Sequence, residues 1–516
     1  MPALASKDMM HLAHTVEPIS LLLLVQFVLM KANPTYPIWS SFALDRADKR
    51  PIQDQIVAFF REAISSGNMR SGTRLPPTRA LAAELGVARN TVAFAYERLV
   101  AEGYLDSRTG SGTYVTEGLP VSKVNGQDLP VRRPSTRGQR TLNAVTGFVA
   151  SSTLPLTPGL PALDQFPFTL WARLTGRFWR GEPHDLLPYG DPGGYAPLRR
   201  ALASYLRAAR GISCEPEQVL IVSGSQAGID TAARVLLDPG DTVWVEDPGY
   251  VAGRSALAAS GARLIPVPVD EQGLDPAAGA LLAPHAKLAV VTPSHQYPMG
   301  SVQSLPRRMA MLDWAERADA WILEDDYDGE FRYAGKPVSA LHSLDSGRRV
   351  VYLGTLSKVL APSLRLGYLV VPSDLVDAFA AARAVSDRHV SIEIQAVTAD
   401  FIEGGHLAAH VKRLRPIYDA RRRALLDAFK KIESLIEPVD YGAGLHFIAK
   451  LRRRVDDATA SKIGLALGVN APALSGYGLT RTDLNGFVIG FANTREDRAS
   501  WAVERLRRAI MDAARG

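Results

Sequence analysis

The chain has 516 residues, 47% of them hydrophobic and 22% charged, with a formal net charge of +6. Domains run to roughly 100–200 residues, so two or more are accommodated, and the composition is that of an ordinary globular protein with a sizeable core. A single cysteine, Cys214, excludes an internal disulfide and a multi-cysteine zinc site and points to a reducing compartment, the cytoplasm; the mild basic excess is compatible with nucleic acid without establishing it.

Residues 19–30, ISLLLLVQFVLM, form an apolar run shorter than the roughly 20 residues that a spanning helix needs. A signal peptide is not read here either, because Asp8 and Glu17 offset Lys7 and no small-residue cleavage site follows. Residues 1–41 are taken as an N-terminal extension outside the folded domains, with Met30 an alternative start, and no membrane partner is expected.

Pro51 opens an amphipathic run, IQDQIVAFFREAISSG, that stops at Gly67. Pro77 and Thr78 stand where a short helix starts, LAAEL is its apolar face, and Gly86 breaks it. ARNTVAFAYERLVAEG then predicts a further helix ending at Gly103, and YLDSRTGSGTYV reads as two β-like runs joined by a glycine-rich turn. Residues 42–116 therefore predict a winged helix-turn-helix DNA-binding domain.

A recognition helix needs polar and basic side chains at its start. Arg89, Asn90 and Thr91 open the second helix of the motif, with Tyr96 about two turns on; Arg74 and Arg79 flank the first and suit phosphates. Arg108 with Gly110 and Gly112 suits a wing tip close to a nucleic-acid backbone. A plain helical hairpin with solvated charges has the same local pattern. The ordered runs PIQDQI, RLPPTRALA, LGVARNTV, AYERLVAEGYL and GSGTYV, however, strongly resemble the winged-helix domain of GntR-superfamily regulators. That resemblance implies that the helix from Arg89 enters the major groove of a double-stranded DNA operator, while the wing contacts the minor groove or the backbone.

Residues 117–153 are rich in Pro, Gly, Ser and Arg without a helical or strand period, and are read as a flexible basic linker. From 154 to 516, QVLIVSG, TVWVEDPG, RLIPVPVD, LAVVTPS, AWILEDD and VVYLGTLSK are short β-rich runs, most with helical patterns between them. This predicts an α/β domain with a mostly parallel sheet, and from roughly 405 a smaller α+β subdomain.

Chemistry-bearing residues sit at the ends of these runs. Lys358 follows VVYLG in GTLSKVLAPSLRLGY, with Thr355 and Ser357 as hydroxyl donors beside it and Arg365 on the same loop. Asp325 or Asp326 ends the strand in WILEDDYDGEF, followed by Tyr327. Ser225 and Gln226, in SGSQAG, open a helix whose N–H groups favour a phosphate. Tyr250, in EDPGY, is a candidate stacking ring. Singly each is weak, an acidic strand end being more often a solvated cap. Together with YGDPGGYAPLRRALASYL, TPSHQYPMG and GGHLAAHVKRLRPIYDARR, their order and spacing resemble the fold-type I aminotransferases. The resemblance is closest to the effector domain of the MocR subfamily of GntR regulators, and covers residues 42–516.

The resemblance implies pyridoxal 5'-phosphate, whose chemistry needs a lysine for the Schiff base and a carboxylate that keeps the pyridine nitrogen protonated. By it, Lys358 bears the Schiff base, Asp325 pairs with the pyridine nitrogen, Tyr327 contacts the 3-oxygen and Tyr250 stacks on the ring. Ser225, Gln226, Thr355, Ser357 and Arg365 hold the phosphate. His295 and Gln296 line the site, and Tyr297 stands where many aminotransferases carry an asparagine. One departure concerns the arginine that grips the substrate carboxylate near the C-terminal strand: NGFVIGFAN has Val488 in that region, and nearby Arg481 is the substitute for an effector carboxylate. His406 and His410 are one helical turn apart with no third ligand nearby in sequence, so no metal is expected.

What the resemblance implies is a regulator acting as a head-to-tail homodimer and responding to a small amine, an amino acid or the cofactor itself, with RNA polymerase a further candidate partner. The alternative is an active aminotransferase with an appended DNA-binding domain; the departure at the carboxylate arginine implies transamination that is weak or partial at most.

Overall fold

The computed structural model describes residues 42, 44–108, 110–118, 132–144, 152–334, 339–345 and 348–515. The expectations for residues 1–41 and for most of the linker lie outside the described residues. The chain divides into two compact units, with the boundary between Arg132 and Arg133.

In the first unit the amphipathic run forms α1 (Ile52–Ser65), after Pro51. Helix α2 (Thr78–Leu85) ends at Gly86, whose φ of 63° is the left-handed turn that glycine makes without steric cost. Helix α3 (Arg89–Ala101) follows after Gly86, Val87 and Ala88. Strands β1 (Leu105–Arg108) and β2 (Gly112–Val115) pair antiparallel, with Arg108 opposite Gly112 at the tip. Ile56, Phe60, Leu81, Val92, Leu99 and Leu105 make a core of their own. This is the expected winged helix-turn-helix.

Tyr96 is a correction. The sequence puts it among the DNA contacts, yet it is buried, its ring edge-on to Phe60 and its hydroxyl donating to the Pro76 carbonyl at 3.0 Å. The reason is helical period: Val92, Ala95, Tyr96 and Leu99 recur at i, i+3, i+4 and i+7 and form the inward stripe of α3.

The span read as linker also differs in part. Residues Thr136–Ala144 form a helix with no buried residue, lying along the helix Val251–Ser260 of the same unit. Local bonds support it: Ser135 accepts from the Gly138 N–H through its hydroxyl and from the Gln139 N–H through its carbonyl, and Gln139 reaches Asn143 one turn on. These polar side-chain contacts leave no hydrophobic period to read.

The second unit is built on an eight-stranded sheet ordered β3-β10-β9-β8-β7-β4-β5-β6. Its strands are β3 (Val219–Val222), β4 (Thr242–Asp247), β5 (Arg263–Asp270), β6 (Gly273–Leu274), β7 (Leu288–Val291), β8 (Trp321–Asp326), β9 (Val350–Thr355) and β10 (Gly367–Val370). The five strands from β9 to β5 run parallel, while β10 is antiparallel to both of its neighbours. All six expected strands are present, and the nearly complete burial of β3, β4, β7, β8 and β9 fits a sheet covered on both faces. A second, three-stranded antiparallel sheet, β11 (Ile436–Val439), β12 (His446–Leu451) and β13 (Gly486–Gly490), carries the α+β subdomain. No helix among the described residues is long and apolar enough to cross a membrane. The C-terminal ends of β4, β7, β8 and β9 open on one edge, where parallel sheets place ligands.

Candidate functional site

Strand β8 ends in three consecutive buried carboxylates, and their partners differ. Glu324 accepts the N–H groups of Leu341 and His342 at 2.7 and 2.8 Å. Asp326 takes the Arg210 guanidinium at 2.6 Å and the Tyr352 hydroxyl at 2.8 Å. Alternation along a strand sends these two to one face and Asp325 to the other. Asp325 is only 5% exposed, and its Oδ1 has no hydrogen-bond partner among the described residues. Burial, reinforced by Asp326 and opposed by Lys358, pushes its carboxyl up to about 7. A buried acid left without a donor is costly unless something cationic completes it. The protonated pyridine nitrogen of the expected cofactor has that chemistry, so the residue fits the group.

Lys358 lies on the loop after β9, and its Nζ donates to the Gly159 carbonyl at 2.7 Å. Burial lowers its affinity for a proton, against the pull of Asp328 and Asp325. The result is an amine closer to its neutral, nucleophilic form than an exposed lysine. The Tyr327 hydroxyl lies 3.1 Å from Nδ1 of His295, which also lies 3.0 Å from Oδ2 of Asp328. Tyr250 precedes the helix Val251–Ser260 with its ring edge-on to that of Tyr297. Burial raises its phenol to about 12, with Asp325 adding and Arg365 opposing, so both ends of the site act on this ring.

The phosphate end is a cradle of backbone. Gly224, φ 88°, turns the chain into the helix Ser225–Leu236, whose first N–H groups lack intrahelical acceptors. A Cβ at Gly224 would lie 3.4 Å from the Arg365 guanidinium, and one at Gly367 would lie 3.1 Å from Gly224 Cα. Arg365 is anchored by donation to the Ser223 carbonyl at 2.8 Å. Thr355 accepts the Ser357 N–H at 3.2 Å. A helix start, two hydroxyl residues and an arginine are the parts an anionic phosphate needs.

Three expectations are changed. Gln296 is fully buried and its amide donates to Glu246, the Pro248 carbonyl and the Tyr297 carbonyl, bracing the loops after β4 and β7. Gln226 donates to the Ala252 carbonyl at 3.0 Å, so its amide nitrogen ties two helix starts together. Arg481 does not offer an open fork to an effector carboxylate: both arms hold Asp483, two residues on, at 2.6 Å. Sequence reasoning misses Gly159, Asp328, Tyr477 and His446. Asp328 stands inside the run EDDYDGEF; Tyr477, whose hydroxyl lies 3.1 Å from that of Tyr297, carries no local signal. His295, Asp328 and His446 bring ligand-type atoms within 4.8 Å of one another; Nε2 of His446 lies 3.1 Å from the Pro298 carbonyl and donates there, and its Nδ1 is buried with no hydrogen-bond partner among the described residues.

In the first unit Arg74, Arg79, Arg89, Asn90 and Arg108 are exposed, and Thr91 is half-buried. Arg74 lies against the wing, its Nε 3.0 Å from where a Cβ on Gly112 would sit. Gly110 and Gly112 have φ of 78° and 115°.

A pH effect follows from the burial of Asp325. Between about pH 4, where a free aspartate titrates, and about 7, the folded cofactor-free chain holds a proton here that the unfolded chain has lost. This group therefore subtracts stability as pH rises through that window. Cofactor-free Asp325→Asn should gain in urea midpoint over wild type, by an amount that grows to about pH 7 and then levels. A difference constant with pH would refute burial as the cause.

Residues 52–115 match the family model of GntR bacterial regulatory proteins, and residues 154–506 match that of class I and II aminotransferases. The fold and the two matches define a DNA-binding regulatory head joined to an aminotransferase-type unit. The chain belongs to the MocR-type regulators of the GntR family. It is 37% identical to the probable rhizopine catabolism regulatory protein MocR of Rhizobium meliloti, over 91% of this chain and 95% of that one. It is 32% identical to the pyridoxine biosynthesis transcriptional regulator PdxR of Corynebacterium glutamicum, over 91% and 98%. Among solved structures, Pyrococcus horikoshii kynurenine aminotransferase in complex with PMP matches with a TM-score of 0.64 and 28% identity, covering 74% of this chain and 95% of that one.

Proposed function

We propose that this regulator binds pyridoxal phosphate at Lys358 and changes its hold on a double-stranded DNA operator when a small amine or amino acid, or the cofactor itself, occupies that site. The observation that carries the reading is the unequal treatment of the β8 carboxylates. Glu324 and Asp326 are held by protein groups, and Asp325 is left for a ligand. When bound, the cofactor supplies a carbonyl that reacts with amines and a ring that accepts electrons. Asp325 holds a proton at the ring nitrogen, Tyr327 and His295 position a proton at the 3-oxygen, and the start of helix Ser225–Leu236 with Arg365 anchors the phosphate. Tyr250 covers the ring and excludes water. A head-to-tail homodimer would present two α3 helices to two half-sites, with RNA polymerase as the downstream partner in the cytoplasm.

Turnover as an aminotransferase is the second reading, favoured by the desolvated Lys358 beside Asp325. It lacks an open arginine fork, since Arg481 is closed by Asp483. Steady exchange of an amino donor with a keto acid would establish it; a single half-reaction per site favours sensing.

For the DNA end, Arg89→Ala should weaken binding to a fragment selected from a random duplex library by about five- to 150-fold, about 1–3 kcal/mol, and leave cofactor binding unchanged. A gel-shift affinity equal to wild type would remove Arg89 from the interface.

A further inference from the structure

A cavity of about 590 Å³ lies behind the His295–Asp328 pair, between the helices Ala196–Arg210 and His406–Lys430. Neither Lys358, Asp325, Tyr250 nor Ser225 is in its lining, so it is not the cofactor pocket. Its charges are sorted by depth. The acids are deep: Asp328 is 1% and Glu330 8% exposed, and Asp328 has a buried Oδ1 with no hydrogen-bond partner among the described residues. One base, Arg210, is deep as well, but its guanidinium is taken up by Asp326, the Gly329 carbonyl and Ser294. The other bases are toward the rim, where Lys412 and Arg415 are exposed and Arg332 is half-buried.

The wall is held independently of any ligand. The Tyr205 hydroxyl donates to Glu330 at 3.3 Å, Arg415 to the Glu330 carbonyl at 3.0 Å, and the Leu445 N–H to Oδ2 of Asp328 at 3.2 Å. What stays unmatched in the lining is the deep Oδ1 of Asp328 and, on the basic side, the buried Nε of Arg332 and the outward charge of Lys412. A ligand that is positive at its inner end and negative at its outer end satisfies both.

We propose that this cavity binds a small zwitterion of the amino-acid type, its ammonium on Asp328 and its acid on Lys412. Asp328 also holds His295, and His295 touches the Tyr327 hydroxyl. Occupancy is therefore felt at the cofactor end through one carboxylate that serves both sites, which is the shared element that coupling requires. Binding here stands without the reading of Lys358 as the cofactor lysine; the coupling rests on it.

The test uses the full-length holoprotein after borohydride reduction, so that amines cannot react at Lys358. Glycine, β-alanine and 6-aminohexanoate are titrated by calorimetry, with their N-acetyl forms beside them and the fluorescence of the reduced cofactor followed. At least one probe should bind one per chain and shift that fluorescence. Its N-acetyl form should bind tenfold or more weakly. Lys412→Glu, which reverses the rim charge, and Ala408→Trp, which fills the mouth, should each weaken it tenfold or more. No saturable binding to the reduced protein, equal binding of the N-acetyl form, or unchanged binding in both variants overturns the site. Binding without a fluorescence shift overturns the coupling. A wild type that borohydride does not modify at Lys358 breaks the cofactor reading instead, and mass analysis of the same sample tells that failure apart.

Discussion

Lys358→Ala should abolish covalent capture of pyridoxal phosphate while leaving both units folded. The Nζ donates to the Gly159 carbonyl, and a typical bond of that kind contributes about 0.5–1.5 kcal/mol. Against that loss, the variant no longer desolvates an amine in a site where burial already disfavours its charge. The net change in stability is small beside the loss of the nucleophile. The DNA-binding unit has its own core around Ile56, Phe60 and Val92, so duplex binding should persist at reduced response to added amine. Wild type treated with pyridoxal phosphate and borohydride should gain one cofactor mass at Lys358, and the variant none. Labelling that survives in the variant would move the reactive lysine elsewhere; a collapsed circular dichroism spectrum would make Lys358 structural.

Arg210→Met should be the most destabilising single change at the site, by about 3–5 kcal/mol, because it strands Asp326 in the interior. Arg210 ends the helix Ala196–Arg210 and reaches Asp326 through Nε and Nη2, the Gly329 carbonyl through Nη1, and the Ser294 hydroxyl. Both side chains of the pair are almost wholly buried. The cost is the uncompensated charge, so removing both charges should recover most of it: Arg210→Met with Asp326→Leu is expected nearer to wild type than Arg210→Met alone. Urea unfolding of the four proteins gives the coupling. A double variant as unstable as the sum of its singles would mean that packing around Arg210, not the pair, sets the loss. Because Asp326 is fixed by Arg210 and Tyr352, its neighbour Asp325 is fixed toward the cofactor face. The single variant should therefore also weaken cofactor binding.

Much of this architecture is legible in the amino-acid sequence. Alternating apolar runs and glycine stops place α1, α2, α3 and the wing, and the order of the strand-end runs locates Lys358, Asp325, Tyr250, Ser225 and Arg365. Such features are local: helix period, turn chemistry and the step from strand to loop are carried by neighbouring residues. Even the burial of Tyr96 is readable, since it shares its stripe with Val92 and Leu99.

Other assignments have no local signal. Strand alternation puts Asp325 and Asp326 on opposite faces, but only Arg210, 116 residues away, decides which one is left for a ligand. Gln296 stands in the expected run, yet its amide is taken by Glu246, 50 residues distant. Arg481 is close by in sequence, and its fork turns to Asp483 instead. His446 reaches the site on β12, from the other sheet. The sequence by itself determined the two units, the strand ends and the residue types gathered there. Tertiary structure alone decided which of those side chains are already satisfied, because a buried polar group is completed by partners that the fold, and not the neighbouring chain, brings to it.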